Sequence, residues 1–153
     1  MRLPRDDRNP AIIVIIGPST TTTGKRKKFF EIKEVEVSAE NIGEKNQISK
    51  ATVVLKVGGK KGVGHESGDG PVNALDNALR QALLPFYPQV KDIRLEDYKV
   101  RVVDSESGTA AKVRVFIEFR DDKNIWTTVG VSGNIIEASW QALVDAIEYK
   151  LSR

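Results

Sequence analysis

The sequence has no cysteine, one histidine and one methionine among its 153 residues. The absence of cysteine excludes disulfides and thiolate metal sites. The single histidine, His65, stands beside Glu66. Imidazole titrates near neutral pH, so His65 is the one candidate general base. No H-E-x-x-H or comparable ligand spacing accompanies it. The acids Asp69, Asp76, Asp97 and Asp104 fall without a pairing pattern, and no Ser/His/Asp arrangement can be assembled. The expectation is therefore a chain with no catalytic residues, no metal ligands and no cofactor. Long apolar runs are also missing. The strongly apolar run at residues 11–16, AIIVII, is six residues long, too short for a bilayer span or a signal-peptide core. A cytoplasmic protein without a membrane partner is expected.

Charge of one sign is scarce as well: 24 Lys and Arg against 21 Asp and Glu give a net charge of +3. Much of the excess sits in Lys25, Arg26, Lys27 and Lys28. A nucleic-acid footprint needs a basic or aromatic stripe carried onto a helix or sheet. None follows, so the cluster reads as a solvated basic turn and no nucleic-acid partner is expected. The same region imitates a phosphate loop without being one. That motif needs four residues between its glycines and a Ser or Thr after the lysine. Here six residues lie between Gly17 and Gly24, and Arg26 follows Lys25.

What the sequence does contain is a duplication. Residues 51–83 and 113–147 each run alternating strand, turn, Gly/Ser loop and amphipathic helix. In the helices the offset is a constant 64, placing Gly70 over Asn134, Ala74 over Ala138, Ala78 over Ala142, Leu79 over Leu143 and Ala82 over Ala146. The β-branched run at 11–16 predicts a short buried strand, and strand-like patterning predicts others at residues 30–38, 51–57, 98–102, 113–119 and 126–131, with residues 62–67 a third short strand of the first copy by comparison with the second. Residues 40–47, with Gly43, read as a hairpin turn. The first helix is predicted over 71–84, entered by Gly70-Pro71 and stopped by Pro85 and Pro88. The second is predicted over 135–151, with Asn134 and Glu137 forming a reciprocal capping box. The expected fold is α+β: two pseudo-symmetric βββα units, antiparallel sheet packed against helices. Residues 1–28 form an N-terminal arm, partly flexible, and 29–153 the domain, with repeats at about 29–90 and 91–151.

The two Gly/Ser loops are the candidate sites. Each leads to a helix N-terminus, where unpartnered N–H groups carry partial positive charge suited to a carboxylate. The residues are Gly68, Asp69 and Gly70, followed by the apolar Val72, Ala74 and Leu75, and then Ser132 and Asn134, followed by Ile135, Ile136 and Ala138. The residues by themselves fit equally well a pair of tight turns leading into well-packed helices.

The same loops carry a family signature. GDGPVNALDNAL (68–79), FYP (86–88), DYKVRV (97–102) and TTVGVSGNIIEASWQALVDAIEYKL (127–151) closely resemble the C-terminal regulatory domain of the 2-isopropylmalate synthase family, the last block most like its citramalate synthase branch. The resemblance covers about residues 29–151. It implies two βββα units, a homodimer, and binding of an end-product amino acid, leucine or isoleucine, at the loops just named. It also implies feedback inhibition of an acetyl-CoA-condensing TIM barrel that precedes the domain. Such a barrel takes about 250 residues, so the chain itself is expected to hold no catalytic part. Alternatives within this frame are a dimerisation module that binds no effector and a free-standing amino-acid-binding protein. Residues 1–28 do not resemble the family's helical linker. They suit an extra edge strand or an arm exchanged between subunits.

Overall fold

Every alternating segment is a strand, and within each of two sheets consecutive strands pair antiparallel. The computed structural model describes residues 12–16, 29–42, 46–103 and 112–152. Two compact units divide the chain between Phe86 and Tyr87. The first contains β1 (Ile12–Ile16), β2 (Glu31–Ile42), β3 (Asn46–Val57), β4 (Lys60–Gly68) and α1 (Pro71–Leu83). The second contains a 3-10 turn (Pro88–Asp92), β5 (Arg94–Val103), β6 (Lys112–Arg120), β7 (Ile125–Ser132) and α2 (Ile135–Leu151). The expected α+β plan of two βββα units holds, with one addition. The sheet of the first unit has four strands in the order β1-β2-β3-β4, because β1 joins the outer edge of β2; the second has three, β5-β6-β7. The basic cluster, the Gly17–Gly24 loop and Gly43 lie outside the described residues.

In each unit the helix lies across the last two strands. In the first, Val35, Val37, Ala51, Val53 and Leu55 are buried from the sheet, and Ala74, Leu75, Ala78, Leu79, Ala82 and Leu83 from α1. In the second, Val115, Ile117, Phe119 and Trp126 are buried from the sheet, and Ala138, Ala142, Leu143, Ala146 and Ile147 from α2. The alanines, spaced by four, bring a helix backbone unusually close to its strand. A Cβ at Gly64 would stand 1.8 Å from the Ala78 carbonyl oxygen, and one at Gly62 would stand 2.6 Å from that of Ala82. The residues 64 positions further on meet the equivalent carbonyls with hydrogen bonds. Thr128 Oγ1 donates to the Ala142 oxygen at 2.6 Å and Trp126 Nε1 to that of Ala146 at 3.1 Å. The duplication thus extends to the seam: at these two positions glycine lets the backbone approach in the first copy, and a side-chain donor bonds the carbonyl in the second.

Both first strands also carry a bulge, between Ile32 and Glu34 in β2 and between Leu95 and Asp97 in β5. The extra residue explains why the apolar phase slips from Ile32 to Val35. Beyond β6, Asp121 ties the turn to α2. Its Oδ1 accepts the N–H groups of Lys123 and Asn124 at 2.8 and 2.7 Å, and its Oδ2 accepts from Lys150 Nζ at 2.6 Å. The Lys150 bond first, and then the two backbone bonds, hold this carboxyl down at about 2. Its contribution to stability is complete above the ordinary value of 3.8 and is lost as pH falls toward 2.

Candidate functional site

The first candidate loop begins where β4 runs onto the start of α1. A Cβ at Gly68 would lie 2.6 Å from the Ala74 nitrogen and 2.9 Å from the Asn73 carbonyl carbon, so only glycine lets the strand end touch the helix there. Asn77 Nδ2 donates to the Ser67 carbonyl at 3.1 Å and closes the other side of the contact. Gly70 is the N-cap, in extended conformation (φ −156°, ψ 173°), and supplies no side-chain cap. Its carbonyl accepts the Ala74 N–H at 3.0 Å. Pro71 has no N–H, and a Cβ at Gly70 would meet nothing within 4 Å. The first turn of α1 thus has no side-chain cap, and the space beside Gly70 is open. Asp69 is exposed, Val72 is half-buried, and Ala74 and Leu75 are fully buried.

The second loop is built differently. Asn134 Oδ1 accepts the N–H groups of Ile136 at 2.8 Å and Glu137 at 3.3 Å. The other half of the expected capping box is absent. The Asn134 N–H donates instead to Ser132 Oγ, two residues before it, at 3.1 Å. Ser139 Oγ donates to the Ile135 carbonyl at 2.7 Å and meets the Tyr98 hydroxyl at 3.1 Å. Ile135 is exposed, Ile136 half-buried and Ala138 fully buried. The helix starts, equivalent by sequence, differ in chemistry: α1 is open, and α2 is closed by its own Asn134 and Ser132. Replacing Asn134 by alanine removes the acceptor of two first-turn N–H groups and is expected to lower stability by about 1 kcal/mol in urea unfolding. Each loop belongs to its own unit.

His65 lies on the strand β4. Its Nδ1 is 2.7 Å from Thr52 Oγ1 across the β3–β4 pair. Gln81 of α1 bridges the two neighbours: its Oε1 accepts the His65 N–H at 2.6 Å and its Nε2 donates to Glu66 Oε1 at 2.7 Å. Among the described residues no group of three or more His, Asp or Glu side chains could hold a metal ion. No described helix is long and apolar enough to cross a membrane.

Two features were missed by the sequence reading. Asp76 is a buried acid, only 2% exposed, on the apolar helix α1. Its Oδ2 accepts from Arg80 at 2.9 Å. Burial pushes its carboxyl up to about 6, against the lowering effect of Arg80. The i,i+4 spacing of Asp76 and Arg80 was the available signal. The second is a cleft of about 420 Å³ on the second unit's sheet, lined by Asp97, Lys99, Arg101, Phe116, Glu118 and Thr127. The Arg101 guanidinium lies 5.9 Å from the centre of the Phe116 ring. The alternation of charge along β5 was its signal.

The model of a family described as the LeuA allosteric (dimerisation) domain matches residues 19–151. An (R)-citramalate synthase of Geobacter sulfurreducens is 50% identical over 131 residues, covering 85% of this chain and 25% of that protein. One from Synechocystis is 48% identical over 134 residues, covering 84% and 24% respectively. A 2-isopropylmalate synthase of Clostridium kluyveri is 31% identical over 120 residues, covering 78% and 21%. The chain spans about a quarter of the length of the curated relatives it matches.

Proposed function

The chain belongs to the LeuA allosteric (dimerisation) domain family, and on that premise we propose that it is the regulatory part of a cytoplasmic citramalate synthase. In this reading it forms a homodimer and binds a branched-chain amino acid, isoleucine or leucine, as a feedback inhibitor. The observation that carries the proposal is 50% identity to an (R)-citramalate synthase across 85% of the chain. The open start of α1 supports it chemically. An amino-acid carboxylate suits uncapped N–H groups at the positive end of a helix, and the flanking glycines let it approach the backbone. Gly68, Asp69, Gly70 and Val72 are the residues assigned to the effector at α1. Ala74 and Leu75 support that turn from beneath. At α2 the assigned residues are Ser132, Asn134, Ile135 and Ile136, with Ala138 behind them.

Binding is transmitted to an attached catalytic barrel as a difference in affinity between two conformations of the whole enzyme. A coupling of about 1–3 kcal/mol produces substantial inhibition. The chain itself performs no condensation of acetyl-CoA with a 2-oxo acid. The closed start of α2 favours a second reading, a dimerisation module without an effector.

Calorimetric titration with isoleucine, leucine, valine and pyruvate separates the two. Isoleucine or leucine is expected to bind at or below millimolar concentration; silence from all four removes the effector. Gly70→Leu sharpens the test. The position is extended and faces open space, so the fold should accept leucine while effector affinity falls at least tenfold. Unchanged affinity would move the site away from α1.

A further inference from the structure

The two sheets differ at one edge. In the first unit β1 covers the outer edge of β2, with Val14 opposite Val37 and Ile12 opposite Ala39. In the second unit β5 is the strand equivalent to β2. It starts its βββα unit, and its bulge falls 63 residues after that of β2. Among the described residues β5 pairs only with β6. The consequence is visible in exposure. Val37 is 2% exposed, whereas Val100, its counterpart beyond the bulge, is 37% exposed and Val102 is 72% exposed.

The far edges are managed differently. On β4 the His65 N–H is bonded by Gln81, and on β7 the Val131 N–H is bonded by Gln141 at 3.1 Å. Unpaired edges with exposed apolar residues are templates for another strand. In the first unit that place is filled by a strand running antiparallel.

We propose that β5 is the edge through which two copies of this chain join, β5 of one copy pairing antiparallel with β5 of the other across a twofold axis. The proposal rests on the dimerisation reading above and names the surface responsible. Charge selects a second copy of the same strand as the occupant. On the face shared with Phe116, β5 carries Asp97, Lys99 and Arg101 in order. A twofold reverses that order in the partner, so Asp97 comes opposite a cation, the partner's Lys99 or the partner's Arg101 according to register. The arrangement also relieves two cross-strand strains within one copy, where Asp97 lies opposite Glu118 and Arg101 opposite Arg114. Like charges directly opposite are destabilising. A symmetric pairing of this kind is isologous and closes at two copies.

The cysteine-free sequence makes a direct test possible. A single cysteine at Tyr98 or Lys99, the residue on the twofold axis when Asp97 faces the partner's Lys99 or the partner's Arg101, can form a disulfide only with the same residue of another copy. Directly opposed residues of an antiparallel pair have Cα atoms about 4.5–5.5 Å apart, within disulfide range. One of Tyr98→Cys and Lys99→Cys is expected to give covalent dimers under mild oxidation, and Val63→Cys, on the edge strand β4, is not. Val102→Lys, at a position open to solvent, should weaken the dimer at least tenfold in sedimentation equilibrium while far-UV circular dichroism stays unchanged. If the chain is dimeric but neither cysteine couples and Val102→Lys has no effect, β5 is not the interface and the dimerisation reading survives. If the chain is monomeric at all concentrations, both fall.

Discussion

Replacing Gly64 by valine should leave no folded protein, and replacing it by alanine should cost about 3 kcal/mol, the upper range for overpacking. The reason is what a Cβ would strike: the Ala78 carbonyl oxygen at 1.8 Å and its carbon at 2.7 Å. These are backbone atoms of α1, so no side chain can turn away. The helix must withdraw from β4, and the buried rows of Leu75, Leu79 and Leu83 lose contact with the sheet. A domain of this size has about 5–15 kcal/mol of stability in total. Gly130 faces the same demand from the Ala138 oxygen at 1.8 Å, so the same substitutions should do comparable damage in the second unit. Neither glycine has a positive φ, so backbone strain plays no part. Gly70→Ala is the matched control. It meets nothing within 4 Å and should change stability by no more than about 1 kcal/mol, through loss of unfolded-state freedom. Urea unfolding measures all three. A Gly64→Ala variant within 1 kcal/mol of the parent would mean that the seam is not as tight as the geometry demands.

The second large effect concerns Asp76 and Arg80. Arg80→Met strands a carboxylate at a nearly inaccessible position and should cost about 3–5 kcal/mol at pH 7. Removing both charges, in Asp76→Leu with Arg80→Met, should be close to neutral or stabilising, because the desolvation cost disappears with the pair. The pH dependence has a definite sign. A carboxyl that titrates at about 6 in the folded chain and at 3.8 in the unfolded one holds its proton more tightly when folded. Its contribution to stability is therefore greatest below 3.8 and declines as pH rises to 6, by about 3 kcal/mol in all. Asp76→Asn should flatten that decline, and the penalty of Arg80→Met should grow between pH 5 and 7 as the stranded acid ionises. Asp121 responds in the opposite sense and at lower pH, so the difference between parent and Asp76→Asn isolates the buried acid. Parallel stability profiles for the two from pH 4 to 7 would show that Asp76 does not titrate in this window.

Much of the site's frame could be read in advance, because it is written locally. The α2 span of residues 135–151 follows from an apolar period and an asparagine at the right place, and the structure reproduces it. The α1 span ends one residue earlier than expected, at Leu83. The strands β2 and β3 run longer than their apolar alternation indicated, to Ile42 and from Asn46, because ladder pairing continues where the side chains turn polar. The bulges left a trace, the slip between Ile32 and Val35, without showing which residue was extra. The chemistry of the two helix starts was not legible. Asn134 and Glu137 spelled a reciprocal cap, and the competing bond from Ser132 appears only when the loop has a shape.

By itself the sequence determined the duplication, the two βββα units and the order of strand, loop and helix, since alternation, helical period and capping residues act within a few positions of one another. Only the tertiary structure decided that β1 covers the edge of β2 while, among the described residues, β5 pairs with β6 alone. The same is true of the burial of Asp76 among apolar neighbours, and of the difference between the open start of α1 and the closed start of α2. Those outcomes depend on which distant segments come into contact, and on whether a polar group finds a partner when they do.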